Sequence, residues 1–272
     1  MTQARARTQA LFFIVAVLLT GWGFQLFIIM NGGVRAFGPI WLAGLMCTPG
    51  LLALMLRLVS RIGFADAGLR LGAPRYYALA IGVPMLIAAT LSAFSVVLDI
   101  RMFAPLGARA LNELTPVLWT VLALGLIGAF GEEHGWRGFL LPKLIGEVRH
   151  PYALTGIVWA AWHLPLIAFA AFYDTEHRFL MALIYAVGIV AMNVVFCELR
   201  MRSGSVWAVG IMHATHNFVL QFVVPVLILT MPGERAELWD YVAGDTGLTV
   251  AAAYACAYLM LRSLSQPESR SG

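Results

Sequence analysis

Eight apolar runs dominate this chain, and the fourth of them is too short to cross a membrane unless it carries two carboxylates with it. A helix needs about 20 apolar residues to span a hydrocarbon layer of about 30 Å. Residues 11–30, 39–56, 77–97, 152–173, 179–197, 206–231 and 248–261 read directly as such spans. The remaining run opens at Thr115 and Pro116, a suitable N-cap and first-turn pair, and stays apolar to Phe130 before meeting GEEHGWRGFLLPKL. Fifteen residues cover only about 22 Å. The helix therefore crosses only if it continues through Glu132 and Glu133, which places both at membrane depth.

Composition agrees with this reading. The 272 residues are 61% hydrophobic and 12% charged, against about 25% charged in an average soluble domain. One compact core of this length cannot hide so much apolar material, so the remainder faces lipid. The net charge of +4 does not point to nucleic acid, because the basic residues are scattered between apolar blocks and form no stripe. Cys47, Cys197 and Cys256 each lie inside an apolar stretch and imply neither a disulfide framework nor a cysteine zinc site.

The loops set an orientation. With eight spans, thirteen of the eighteen Lys and Arg residues fall on the side of the N-terminus, and eight of the fourteen acids fall on the other. The positive-inside rule then predicts that both termini are cytoplasmic. The first run has Arg5 and Arg7 before it but is too long for a secretory leader and lacks a clear small-x-small cleavage site, so it reads as an uncleaved anchor. No repeat or long linker interrupts the chain. The expected organisation is one integral membrane domain over residues 1–272, with residues 115–225 as the core that carries the chemistry.

Ionisable groups inside a span cost about 2.5 to 3.5 kcal/mol each and mark functional positions. Here they occur in three places. In the first, Glu133 and Arg137 stand at i, i+4 and share a helix face, whereas Glu132 lies about 100° away and is free of that partner. The second is Trp159 and His163 in WAAWHLP, and the third is His213, His216 and Asn217 in HATHN. Counting rises from the expected span edges puts Glu132 about 6 Å, His163 about 18 Å and His213 about 12 Å from the inner surface. Three neighbouring helices can then share one polar cavity that opens to the cytoplasm.

Each feature has a plainer explanation when taken singly. Glu133 with Arg137 is a buried ion pair, a lone His or Asn is a helix-to-helix hydrogen bond, and Gly131 with Gly135 is a close-packing GxxxG pair. Together, however, a carboxylate that accepts a proton from water and a His and Asn that donate to a developing oxyanion make a hydrolase set. No GxSxG or HExxH motif is present to support a serine or zincin route.

The three motifs resemble, in order, those of the CAAX prenyl protease 2 family, part of the wider CPBP group of intramembrane proteases that also includes bacteriocin-processing and immunity proteins. The family pattern EExxxR corresponds to Glu132, Glu133 and Arg137, FxxxH to Trp159 and His163, and HxxxN to His213 and Asn217. The resemblance implies an all-α polytopic protein of about eight transmembrane helices. It implies an endopeptidase in which Glu132 and His163 activate water, His213 and Asn217 hold the oxyanion, and Glu133 and Arg137 shape the site. Trp159 departs from the family Phe and is expected to change the pocket wall without changing the chemistry.

Family members have been described as metalloproteases, and Glu132, His163 and His213 are the residues that would hold a divalent metal such as Zn²⁺. The same residues also support a metal-free reaction, and an obligatory metal is not expected. The expected partners are the lipid bilayer and a membrane-associated protein or peptide cleaved near the cytoplasmic face. The arginine bias hints at a bacterial inner membrane. Two other functions stay open on sequence grounds: a non-catalytic scaffold or immunity protein of the same fold, and a transporter, against which the absence of an inverted repeat speaks.

Overall fold

A computed structural model describes residues 3–99, 101–105, 107–170, 172–173, 175–230 and 241–263. The chain is a bundle of helices: α1 (Gln3–Met30), α2 (Pro39–Ser60), α3 (Pro74–Val97), α4 (Ala108–Gly135), α5 (Leu141–Leu144), α6 (Pro151–Phe169), α7 (Arg178–Ser203), α8 (Val206–His216), α9 (Val224–Leu227) and α10 (Leu248–Ser263). A two-stranded antiparallel ribbon joins β1 (Arg101–Phe103) to β2 (Ile228–Thr230). Large apolar side chains such as Leu11, Leu19, Leu51, Leu58, Phe179 and Leu183 stand exposed, while Glu132, Glu133, Arg137 and Asn193 are buried. Such an arrangement suits a lipid solvent and no other.

Seven stretches are long and apolar enough to cross a membrane, and their windows include Leu114–Leu144 and Val206–Leu227. The eighth expected span, α10, has 16 residues, about 24 Å, which falls short of the hydrocarbon thickness. Helix α4 begins at Ala108 after Gly107, so Pro116 lies inside it and is not its first turn. At the other end the helix does run on through Glu132 and Glu133. A π-helical segment (Trp136–Leu140) links it to α5, which ends twelve residues past Glu132.

Prolines interrupt several of these helices, and neighbouring side chains supply the missing hydrogen bonds. Pro49 cannot donate to Leu45, whose carbonyl instead accepts from Thr48 Oγ1 at 2.8 Å. Pro142 leaves the carbonyl of Gly138 open, and Arg57 Nη2 donates to it at 2.7 Å. Pro165 leaves Ala161, whose carbonyl accepts from the Trp22 indole at 3.0 Å. Beside that break Gln25 bridges α6, donating to the Trp162 carbonyl at 2.5 Å and accepting from Leu166 N at 2.9 Å. Helix α1 thereby braces the turn that carries His163.

Helices α2 and α4 approach closely because Gly131 faces α2. A Cβ there would lie 2.6 Å from Cys47 Cα, a distance that real side chains do not adopt. Cys47 is eight residues into α2, about 12 Å from its start. Glu132 therefore sits at that level, nearer the middle of the bundle than the position 6 Å from the inner surface expected when the helix was taken to begin at Pro116.

The loop between α2 and α3 is latched over one end of the bundle. Asp66 accepts from Arg57 at 2.7 Å and from Lys143 at 2.6 Å, its backbone carbonyl accepts from Arg200 at 2.9 Å, and Val206 N donates to Gly68 O at 2.8 Å. Burial alone would raise the Asp66 carboxyl, but the hydrogen bonds from Lys143 and Arg57 outweigh it and hold the group below the ordinary carboxylate range.

Candidate active site

The expected residues converge. Glu132, Trp159, His163, His213 and Asn217 line one cavity of about 110 Å³, together with His216 and Tyr185. Glu132 comes from the end of α4, Trp159 and His163 from α6, and His213 from α8. Asn217 opens a second π-helical segment, Asn217–Val223. Both polar motifs thus end on π-segments, a local unwinding that recurs at functional sites because it re-aims side chains.

The two adjacent glutamates have separate partners, as their angular offset predicts. Glu133 Oε1 accepts from Arg137 Nη1 at 2.8 Å and from His213 Nδ1 at 2.9 Å. Arg137 also donates through Nη2 to Asn193 Oδ1 at 2.9 Å, and its guanidinium carbon lies 4.3 Å from the Trp159 ring centroid. The buried cation is therefore met by a carboxylate, an amide and an aromatic face. Glu132 turns away from this cluster. Its Oε2 accepts from the indoles of Trp136 at 3.1 Å and Trp159 at 2.5 Å.

The histidines present defined nitrogens. His163 Nδ1 bonds the Trp159 carbonyl at 2.9 Å, so Nδ1 carries the hydrogen and Nε2 is the nitrogen left to the cavity. His213 Nδ1 faces a carboxylate, which only accepts, so Nε2 becomes a donor when the ring is an imidazolium. His216 Nδ1 meets Tyr254 Oη at 2.9 Å.

One expectation about the site needs correction. Trp159 does more than change a wall, because its indole N–H holds the carboxylate of Glu132, which a Phe at this position has no donor to do. Sequence reasoning also missed Trp136, Asn193 and Tyr254. Asn193 and Tyr254 are uncharged at neutral pH and lie outside the three motifs, so a search that starts from charged residues and histidines passes over them.

The cavity extends toward one end of the bundle. A larger cavity of about 430 Å³ shares Leu42, Phe172 and Gln221 with the first and reaches Arg101, Ala243 and Asp245, at the end of the bundle opposite the start of α1. Among the described residues no three His, Cys, Asp or Glu side chains converge on one point, and Glu132 accepts two indole hydrogens.

Fold and site together define a polytopic helical membrane protein with a buried carboxylate and histidine centre. Residues 114–219 match the family model described as Type II CAAX prenyl endopeptidase Rce1-like, a segment similar to the CPBP/CAAX protease family. A comparison with curated proteins returns no match. The matched segment contains all three polar motifs and ends two residues after Asn217.

Proposed function

We propose that this protein is an intramembrane endopeptidase that hydrolyses a peptide bond of a membrane-associated protein or peptide. The observation that carries the reading is the convergence of Glu132, His163, His213 and Asn217 on one cavity inside a helical bundle. With Oε2 of Glu132 held by two indoles, Oε1 takes the proton of a water that His163 Nε2 orients. The water oxygen attacks the carbonyl carbon, and the carbonyl electrons move onto oxygen. The oxyanion then accepts from the His213 imidazolium and the Asn217 amide. As the carbon–nitrogen bond breaks, the proton held by Glu132 passes to the departing amine.

Glu133 and Arg137 support this without touching the substrate. They hold the His213 ring at its Nδ1 and so point Nε2 at the cavity. The test is Glu132→Gln in purified, detergent-solubilised protein with a membrane-fraction substrate. Cleavage falls by at least 10²-fold, the scale of a lost general base, while the protein stays monodisperse. Unchanged cleavage removes Glu132 from the mechanism. A binding function that outlives the substitution, with no proteolysis in either protein, favours a scaffold.

A further inference from the structure

We propose that His216 is a substrate-binding residue whose Nε2–H donates to a backbone carbonyl of the peptide segment held in the cavity, beside the scissile one. The proposal rests on the endopeptidase reading for the word substrate, and on the partners and placement of the ring for the donor itself.

His216 is the last residue of α8 and is 1% exposed. It lines the cavity with Glu132, His163, His213 and Asn217, yet none of the hydrolytic steps assigned to those residues uses it. Its Nδ1 meets Tyr254 Oη, on α10, at 2.9 Å. Its Nε2 is buried and has no hydrogen-bond partner among the described residues. Tyr254 has no exposed surface and does not belong to the cavity lining. The Nδ1 edge of the ring therefore faces the bundle wall, and the Nε2 edge faces the cavity.

Where the protons sit decides what the ring offers. A neutral imidazole and a phenol each bring one donor and at least one acceptor, so a single bond between them leaves a donor over in either arrangement. With the ring proton on Nδ1, the leftover donor is the Tyr254 O–H, sealed behind the ring with no other acceptor among the described residues. With the phenol donating to Nδ1, the leftover donor is Nε2–H, at the cavity, where a ligand oxygen reaches it. A buried donor that no acceptor can reach is rarer and costlier than an under-used oxygen. The second arrangement is therefore favoured, and it leaves His216 a neutral ring with a hydrogen aimed at the cavity.

Helix geometry separates this donor from the oxyanion pair. His213 and Asn217 are four residues apart and lie about 40° from one another around the axis, whereas His216 lies about 60° to the other side of His213. Its hydrogen therefore serves a different atom. A peptide carries a carbonyl on every residue, so a segment that places its scissile carbonyl at His213 and Asn217 has further carbonyls beside it. No charge develops on such a neighbour during hydrolysis, so the bond is equally strong in ground and transition states. It therefore lowers KM and leaves kcat alone.

The test uses the full chain in detergent and a quenched-fluorescent peptide built on a cleavage site mapped with wild type in the membrane fraction. His216→Phe removes both nitrogens, His216→Asn keeps an amide near the Nδ1 position, and His216→Gln carries an amide out to the Nε2 position. KM is expected to rise about three- to tenfold in His216→Phe and His216→Asn, the scale of one lost hydrogen bond, with kcat within about twofold. His216→Gln is expected to return KM to within about twofold of wild type. A purely structural tie to Tyr254 makes Asn the better substitute, and that order overturns the proposal, as does an unchanged KM in His216→Phe. The comparison of Asn with Gln stands by itself if the Phe variant does not fold. Nitrogen-15 NMR of histidine-labelled protein, assigned by the signal lost in His216→Gln, reads the tautomer with no substrate present. A proton on Nε2 is expected, and a proton on Nδ1 alone overturns the proposal. Failure of the endopeptidase reading shows instead as no cleavage site with wild type, which overturns the substrate assignment while the NMR signal still reports the Nε2 proton.

Discussion

The indole N–H of Trp159 donates to Oε2 of Glu132 at 2.5 Å, across 27 residues of sequence and between two helices. The bond leaves one carboxylate oxygen committed and the other available, which orients the side chain. Trp159→Phe keeps the aromatic wall and removes the donor. A hydrogen bond to an ionised group is worth about 1.5 to 3 kcal/mol. The expected result is a fall in kcat of about tenfold or more with KM within about twofold, measured by steady-state cleavage, and an unfolding temperature close to that of wild type.

Arg137 satisfies two acceptors on different helices and stacks on Trp159. Arg137→Ala leaves Glu133 charged, buried and facing only His213. Breaking a buried pair in this way costs about 3 to 5 kcal/mol. Arg137→Lys restores little, since a single ammonium cannot reproduce the fork. Thermal unfolding in detergent should show a large loss for both variants, with Lys no more than partly recovering it.

Gln25 fills the gap in α6 around Pro165. Gln25→Leu preserves volume while leaving the Trp162 carbonyl and the Leu166 amide without that side chain. Each unsatisfied buried group costs about 1 to 3 kcal/mol. Amide hydrogen exchange in α6 around His163 should rise, and cleavage should fall with it because His163 loses its fixed position.

The loop latch depends on pH through Asp66. Its carboxyl is held below the ordinary range by Lys143 and Arg57. A depressed folded-state value means the stabilisation is fully present above the unfolded value of about 3.9 and is lost as pH falls through the lower, folded value. The group is 38% exposed, so the effect is at most about 1 kcal/mol. Proteolytic nicking within residues 61–73 should stay flat above about pH 4 and rise severalfold below it. Asp66→Asn should nick faster at neutral pH and lose that acid dependence.

Much of the candidate site was readable from the chain because lipid makes polar groups conspicuous. Glu132, Glu133, Arg137, His163, His213 and Asn217 stand out against apolar runs, and the 100° offset of adjacent helical residues separates Glu132 from Glu133 without any coordinates. The same logic fails for Trp159, Asn193 and Tyr254. Tryptophan, asparagine and tyrosine are unremarkable in an apolar run, and their importance lies in which distant atom their polar end meets.

The sequence by itself determined a membrane-spanning helical chain, the positions of most spans and the residues available for chemistry. Those properties follow from local composition in a solvent that punishes exposed polar groups. Tertiary structure decided where α4 begins, how Gln25 and Arg57 mend the proline breaks, which oxygen of Glu132 is held and toward which end the cavity extends. Each of these depends on contacts between helices far apart in the chain, such as Arg57 with Gly138 or Gln25 with Trp162. Periodicity along one helix carries no record of what another helix will place beside it.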